Sequence, residues 1–162
     1  MNTYRELADR IQGELTDLDT TIQKAIRSWN LAQKLDDSQD AYLDSVALNL
    51  HGFYSALERL FELIVRHIDK AMPESTAWHR NLLDQVAIDV AGVRPAVISI
   101  DIARELDQFR RFRHLVRNVY TFSLNAEKIV TLMKALPQIW PKLSAELRAF
   151  SEFLNDLSET RS

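Results

Sequence analysis

Cysteine is absent from the chain, which excludes disulfides, thiolate metal sites and cysteine nucleophiles. Glycine (three) and proline (four) are scarce, so little turn chemistry is available and long elements with few connections are expected. No apolar run reaches membrane-spanning length. The first residues, Met1 to Arg10, hold no apolar stretch of the kind a secretion signal carries. A soluble, cytoplasmic protein with no membrane association is the expectation. The net charge is only −3, which excludes a generally basic nucleic-acid binder while leaving room for a local basic site. What the chain does have is 46% apolar residues in a length of 162, enough for one core in one domain of ordinary size.

Apolar residues recur at helical spacing almost throughout. Leu7, Ile11, Leu15, Leu18, Ile22, Ala25 and Trp29 predict one long helix over about residues 3–35. Such a helix is long for a single domain and is expected either to project or to join a dimer interface. Asp36, Asp37 and Ser38 mark a break, with Ser38 placed as an N-cap. Leu43, Val46, Leu50, Phe53, Leu57, Phe61, Ile64 and Ile68 predict a second long helix over about 39–71, stopped before Pro73. A shorter helix follows from about Thr76 to Val90, closed by Gly92 and Pro95. Ser99 reads as the N-cap of a helix over about 100–120. Asn125 is placed to cap the last segment, which Pro137 and Pro141 are expected to divide or kink before it ends near Leu157. No strand pattern, internal repeat or low-complexity tract interrupts this series. The fold class is therefore all-α, an up-and-down bundle of four to five helices.

Residues 110–120 concentrate the positive charge: Arg110, Arg111, Arg113, His114, Arg117, Asn118 and Tyr120 lie within eleven residues of one predicted helix. At about 100° per residue, Arg110, Arg113, Arg117 and Tyr120 fall within roughly 80° of one another, beside an apolar stripe of Phe109, Phe112, Val116 and Val119. Guanidinium groups bind phosphate through a bidentate fork and stabilise charge that builds on a reacting phosphate. Arginines three and four apart share a face, as contacts along a phosphate backbone require. A plainer reading also stands, in which Arg104, Arg110, Arg111 and Arg117 pair with acids such as Glu105 and Asp107 on a solvated surface.

The same stretch resembles the motif of the HEPN superfamily, and in particular its HepT-like toxins: arginine, four residues, histidine, one residue, tyrosine. Arg113 falls on the arginine and Tyr120 on the tyrosine, while Asn118 stands at the histidine position. The preceding Phe109–Phe112 and the following Thr121-Phe122-Ser123-Leu124 are also similar to this group. Upstream, the run from Leu50 to Arg59 resembles the second helix of HepT-like proteins. Trp78 to Leu83 and Arg94-Pro95 match more weakly, in the right order, so the likeness extends from about residue 43 to 125.

This resemblance implies an HEPN-like bundle that dimerises, with two motif helices facing each other across one RNA-binding cleft, and a ribonuclease that needs no metal or other cofactor. Arg113 would bind and polarise the phosphate. Tyr120 would be the tyrosine that a partner, a minimal nucleotidyltransferase antitoxin, modifies with AMP. Glu58 and Arg59 would line the cleft. Arg110 and Arg117, sharing the face of Arg113 by helical spacing, are the candidates for further phosphate contacts. The implied substrate is RNA, tRNA first among its classes. Asn118 departs from the pattern, because an amide cannot exchange a proton near neutral pH. His114 is one candidate to replace the missing base. The alternatives are a catalytically inactive HEPN module that binds RNA, nucleotide or the nucleotidyltransferase, and a purely structural helical dimer.

Elsewhere, His51, Tyr54 and Glu58 share a helix face, but one histidine and one carboxylate are too few to hold a metal. Tyr54 is expected in the core and Glu58 paired with an arginine. His67 and His79 are isolated in sequence, and no chemical role is expected of either. Trp29, Trp78 and Trp140 lie on apolar stripes and are expected to pack rather than stack on bases.

Overall fold

The computed structural model describes residues 3–34, 37–118 and 126–160. Five α-helices are present among these residues: α1 (Thr3–Lys34), α2 (Gln39–Ile64), α3 (Trp78–Val86), α4 (Ile100–Asn118) and α5 (Ala126–Thr160). No strand occurs among them, only an isolated bridge between Val90 and Arg94. The fold is thus the all-α bundle expected from the helical periodicity.

The apolar stripe of α1 is buried at Leu7, Ala8, Ile11, Leu15, Leu18, Ile22, Ala25 and Ala32, against α2 and α5. Full burial of a Leu or Ile side chain contributes roughly 1.5–3 kcal/mol, so this stripe is a large part of the stability. Polar contacts set the helix directions. Ser28 bonds to Ser45 at 2.8 Å and Gln39 donates to the Ala32 carbonyl at 3.2 Å, so α1 and α2 form an antiparallel hairpin. Gln12 donates to Ser151 at 2.6 Å and Trp140 Nε1 to Asp19 at 3.0 Å, so α1 and α5 are also antiparallel.

α2 and α4 run the same way, since Phe53 meets Phe109 edge-on at 5.7 Å and Glu58 meets Arg113 further along both helices. The segment between them returns the chain to the start, and α3 lies within it. α2 does not continue regularly to residue 71. It passes at Val65–Asp69 into a π-helical turn, and Lys70 ends that turn in the left-handed region at φ 57°. Asp69 is thereby presented to Arg94, which is buried and donates to Asp69 through Nε at 2.6 Å and Nη2 at 2.8 Å. The carbonyls of Ile88, Pro95 and Gln85 accept its remaining hydrogens at 2.9, 3.0 and 3.1 Å. All five guanidinium donors are used, so Arg94 clamps the connection between α3 and α4.

The short helix is narrower than its apolar pattern, ending at Val86. Residues 90–94 instead form a tight turn, with Gly92 at φ 73°. Ser99 caps α4 as expected, its Oγ accepting from Ile102 N at 3.2 Å. Ser38 occupies the N-cap position of α2, but its side chain makes no capping bond. α5 is one continuous helix that contains both Pro137 and Pro141. The many buried residues on either side of the prolines, from Ile129 to Leu154, outweigh the lost backbone bonds. Asn125 lies outside the described residues.

Candidate functional site

On α4, Ile102, Leu106, Phe109 and Phe112 are buried in the core, which fixes the rotation of the helix. Arg113 follows directly on the edge of that stripe, its side chain 13% exposed. On α2, Leu57, Leu60 and Phe61 fix the rotation in the same way. They carry Glu58 inward, where its side chain is only 5% exposed. A buried carboxylate needs partners to compensate its lost hydration. Glu58 has two. Arg113 Nη1 donates to Oε1 at 2.5 Å, and His79 Nδ1 lies 2.9 Å from Oε2.

His79 is the second residue of α3, and its ring stacks on that of Trp78 with centroids 3.6 Å apart and planes 29° apart. Three helices therefore converge on one carboxylate. Because an ionised carboxylate only accepts hydrogen bonds, the bond to Glu58 places the imidazole proton on Nδ1. The opposite nitrogen, Nε2, is left as the one that accepts or donates.

His79, Arg110, Arg113 and His114 together line a small cleft of about 40 Å³. Arg110 is held by Asp107, Nε to Oδ1 at 2.7 Å, and the other carboxylate oxygen of Asp107 takes Arg111 Nε at 2.9 Å. The plainer reading of the arginine run is thus correct for this pair, although one carboxylate serves two guanidinium groups and leaves a positive balance. Arg104 reaches Asp101 only at 4.0 Å, on the surface. Arg113 Nε is buried, and no described residue accepts a hydrogen bond from it.

Tyr54, one turn before Glu58 on α2, is buried at 1% exposure. Burial holds its phenol well above the usual tyrosine range, and the negative charge of Glu58 adds to this.

The structure gathers Glu58, Arg110, Arg113 and His114 in one place. It does not bring Arg59 to them: Arg59 is exposed on α2, and among the described residues no hydrogen bond or ion pair ties it to the cluster. Tyr120 lies outside the described residues, as do the side chains of Arg117 and Asn118. His79 was not expected in the site and is at its centre. Nothing in helical spacing signals it, because it sits 21 positions from Glu58 on another helix. The only sequence signal is its place in the Trp78–Leu83 segment. Trp78 packs, as expected, but its partner is the site histidine. Among the described residues, no three His, Asp or Glu side chains come together as metal ligands would, and no helix is long and apolar enough to cross a membrane.

Comparison with characterised proteins and with solved structures returned no match. The family described as HepT-like protein matches residues 45–154. That span is about two thirds of the chain. It includes Glu58, His79, Arg110, Arg113 and His114, and it runs past the motif helix into α5. With the all-α bundle and the motif arginine beside a cleft in place, the chain belongs to the HepT-like family of HEPN-type proteins.

Proposed function

We propose that this protein is a ribonuclease toxin that cleaves RNA, tRNA first among its substrates, as a homodimer and without a metal ion. In this reading a minimal nucleotidyltransferase antitoxin restrains it by modifying Tyr120 with AMP. The observation that carries the proposal is the placement of Arg113. Its guanidinium is fixed by Glu58 at the wall of a cleft that Arg110 and His114 share. A pre-positioned arginine loses little freedom when a phosphate arrives and stabilises the charge of the transition state more than that of the ground state.

A second reading rests on Asn118. An amide in the place of the family's histidine favours a HEPN module that binds RNA, nucleotide or its nucleotidyltransferase without cutting. The two readings separate in a cleavage assay with purified protein, a total tRNA pool and EDTA. Cleavage by the wild type that disappears in Arg113→Ala establishes the ribonuclease. RNA binding without cleavage, gaining cleavage in Asn118→His, establishes the binding module.

A further inference from the structure

We propose that His79 is the proton-exchanging residue of this site, supplying from α3 the function that Asn118 cannot supply from α4. This inference rests on the reading of the protein as a ribonuclease. Four observations carry it. The His79 ring lines the cleft with Arg110, Arg113 and His114. Its Nδ1 is bonded to the buried Glu58 at 2.9 Å, which fixes the tautomer and leaves Nε2 for the substrate. The stack on Trp78, at 3.6 Å between centroids, holds the plane of the ring. Finally, the same carboxylate that orients His79 also binds the phosphate-site arginine, with Oε1 on Arg113 and Oε2 on His79. Base and phosphate ligand are therefore held in one rigid frame. A carboxylate that orients an imidazole is the arrangement general base catalysis uses. At 30% side-chain exposure, the ring is open to a substrate while its Nδ1 side is sheltered.

His114 is the rival on α4. It lines the same cleft and is exposed. The bond of His79 to Glu58 is the ground for assigning the role to His79.

The reaction is a transesterification within the RNA. His79 Nε2 takes the proton of the ribose 2′-hydroxyl as that oxygen attacks the adjacent phosphorus. The bond from phosphorus to the 5′-oxygen of the next nucleotide breaks, and that oxygen takes up a proton from the imidazolium, directly or through water. The products are a 2′,3′-cyclic phosphate and a 5′-hydroxyl end, with no oxidant or other co-reactant. Arg113 neutralises the charge on the phosphate oxygens throughout.

Two variants of the full-length protein test this. His79→Asn keeps an N–H near the Nδ1 position to donate to Glu58, and His79→Gln reaches toward the Nε2 position; neither exchanges a proton near neutral pH. Steady-state cleavage of a tRNA pool in EDTA is followed from pH 5 to 9. The groups facing His79 over that range are Glu58 from α2 and Arg110, Arg113 and His114 from α4. A kcat lower by about 10²–10⁴-fold in either folded variant, with KM within about threefold and the low-pH fall of the wild-type rate abolished, supports the proposal. Folding is checked by thermal unfolding, and if one variant is unfolded the other decides. Wild-type cleavage with kcat retained within about threefold in a folded variant overturns the role of His79 and leaves the ribonuclease standing. A loss confined to KM makes His79 a positioning residue and also overturns the proposal. Absence of wild-type cleavage, with RNA binding that Arg113→Ala weakens, removes the ribonuclease reading and this inference together.

Discussion

Glu58 and Arg113 are 55 positions apart in sequence and 2.5 Å apart in space, Oε1 to Nη1, with both side chains largely buried. Removing one member of a buried pair leaves the other charge uncompensated, at a cost of about 3–5 kcal/mol. Glu58→Ala exposes this most fully, because it strands Arg113 and unties His79 together. The expected loss is at the low end of that range, since His79 is partly exposed and Arg113 can turn toward water. For a chain of this size, about 3 kcal/mol corresponds to a fall in Tm of roughly 6–12 °C. Glu58→Gln, which keeps the shape and one acceptor, is expected to lose less. Thermal and urea unfolding of the two variants check this, and an unchanged Tm for Glu58→Ala contradicts the pairing.

Ser99 makes a narrower prediction about the motif helix. Its Oγ accepts from Ile102 N at 3.2 Å, and its own backbone N–H donates to Glu146 of α5 at 2.7 Å. Only the first bond depends on the side chain. Ser99→Ala is expected to lose about 1 kcal/mol and Ser99→Gly only a few tenths. Glu146→Ala removes the other bond and leaves the cap intact. Urea midpoints measure all three, and a Ser99→Ala variant as stable as the wild type refutes the cap.

Tyr54 gives a prediction at alkaline pH. Burial, with the charge of Glu58 second, raises its pKa in the folded state. In the unfolded chain a tyrosine ionises at its ordinary value of about 10. Above that pH the unfolded state has lost a proton that the folded state keeps, so unfolding releases it. Stability from this residue is complete below pH 10 and falls as pH rises, by at most about 1.4 kcal/mol per pH unit. Tyr54→Phe is expected to be less sensitive to pH between about 10 and 11.5. Urea unfolding across that range compares the slopes, and identical slopes count against a buried phenol.

These relationships were unequally visible in the sequence. The helices were legible because each buries a stripe at period 3.6, and the stripe of α4 also predicted where Arg113 would emerge. Pairing of Glu58 with an arginine was legible from its position on the α2 stripe, where a lone charge is too costly to leave unpaired. His79 was not legible, since no local spacing connects α3 to α2. Only the return segment, held by Arg94 on Asp69, brings it there. The π-helical turn at Val65–Asp69 was equally hidden, because its residues continue the apolar pattern of α2 while the backbone bonding changes. The two prolines of α5 left a division or a kink open in the sequence; the segment is one helix, because the flanking buried residues override the break that local propensity favours.

The last prediction concerns RNA binding itself, apart from cleavage. Each phosphate neutralised by a cation releases counterions, so log affinity falls linearly with log salt, with a slope of about −0.7 per contact for single strands. In the free protein Arg113 is already paired with Glu58, and Arg110 and Arg111 share Asp107. The local excess of positive charge is therefore small, and the slope is expected to correspond to a few contacts rather than to a broad basic face. Arg113→Ala is expected to weaken binding for all sequences alike and to reduce the magnitude of the slope by about one contact. Lys24→Ala, at an exposed position of α1, is the comparison for a change in net charge, which shifts affinity with little change of slope. Fluorescence anisotropy with a labelled tRNA at several salt concentrations measures both. Equal slopes for the wild type and Arg113→Ala mean that Arg113 meets no phosphate, and the arginines of α4 then serve only the charge and packing of the bundle.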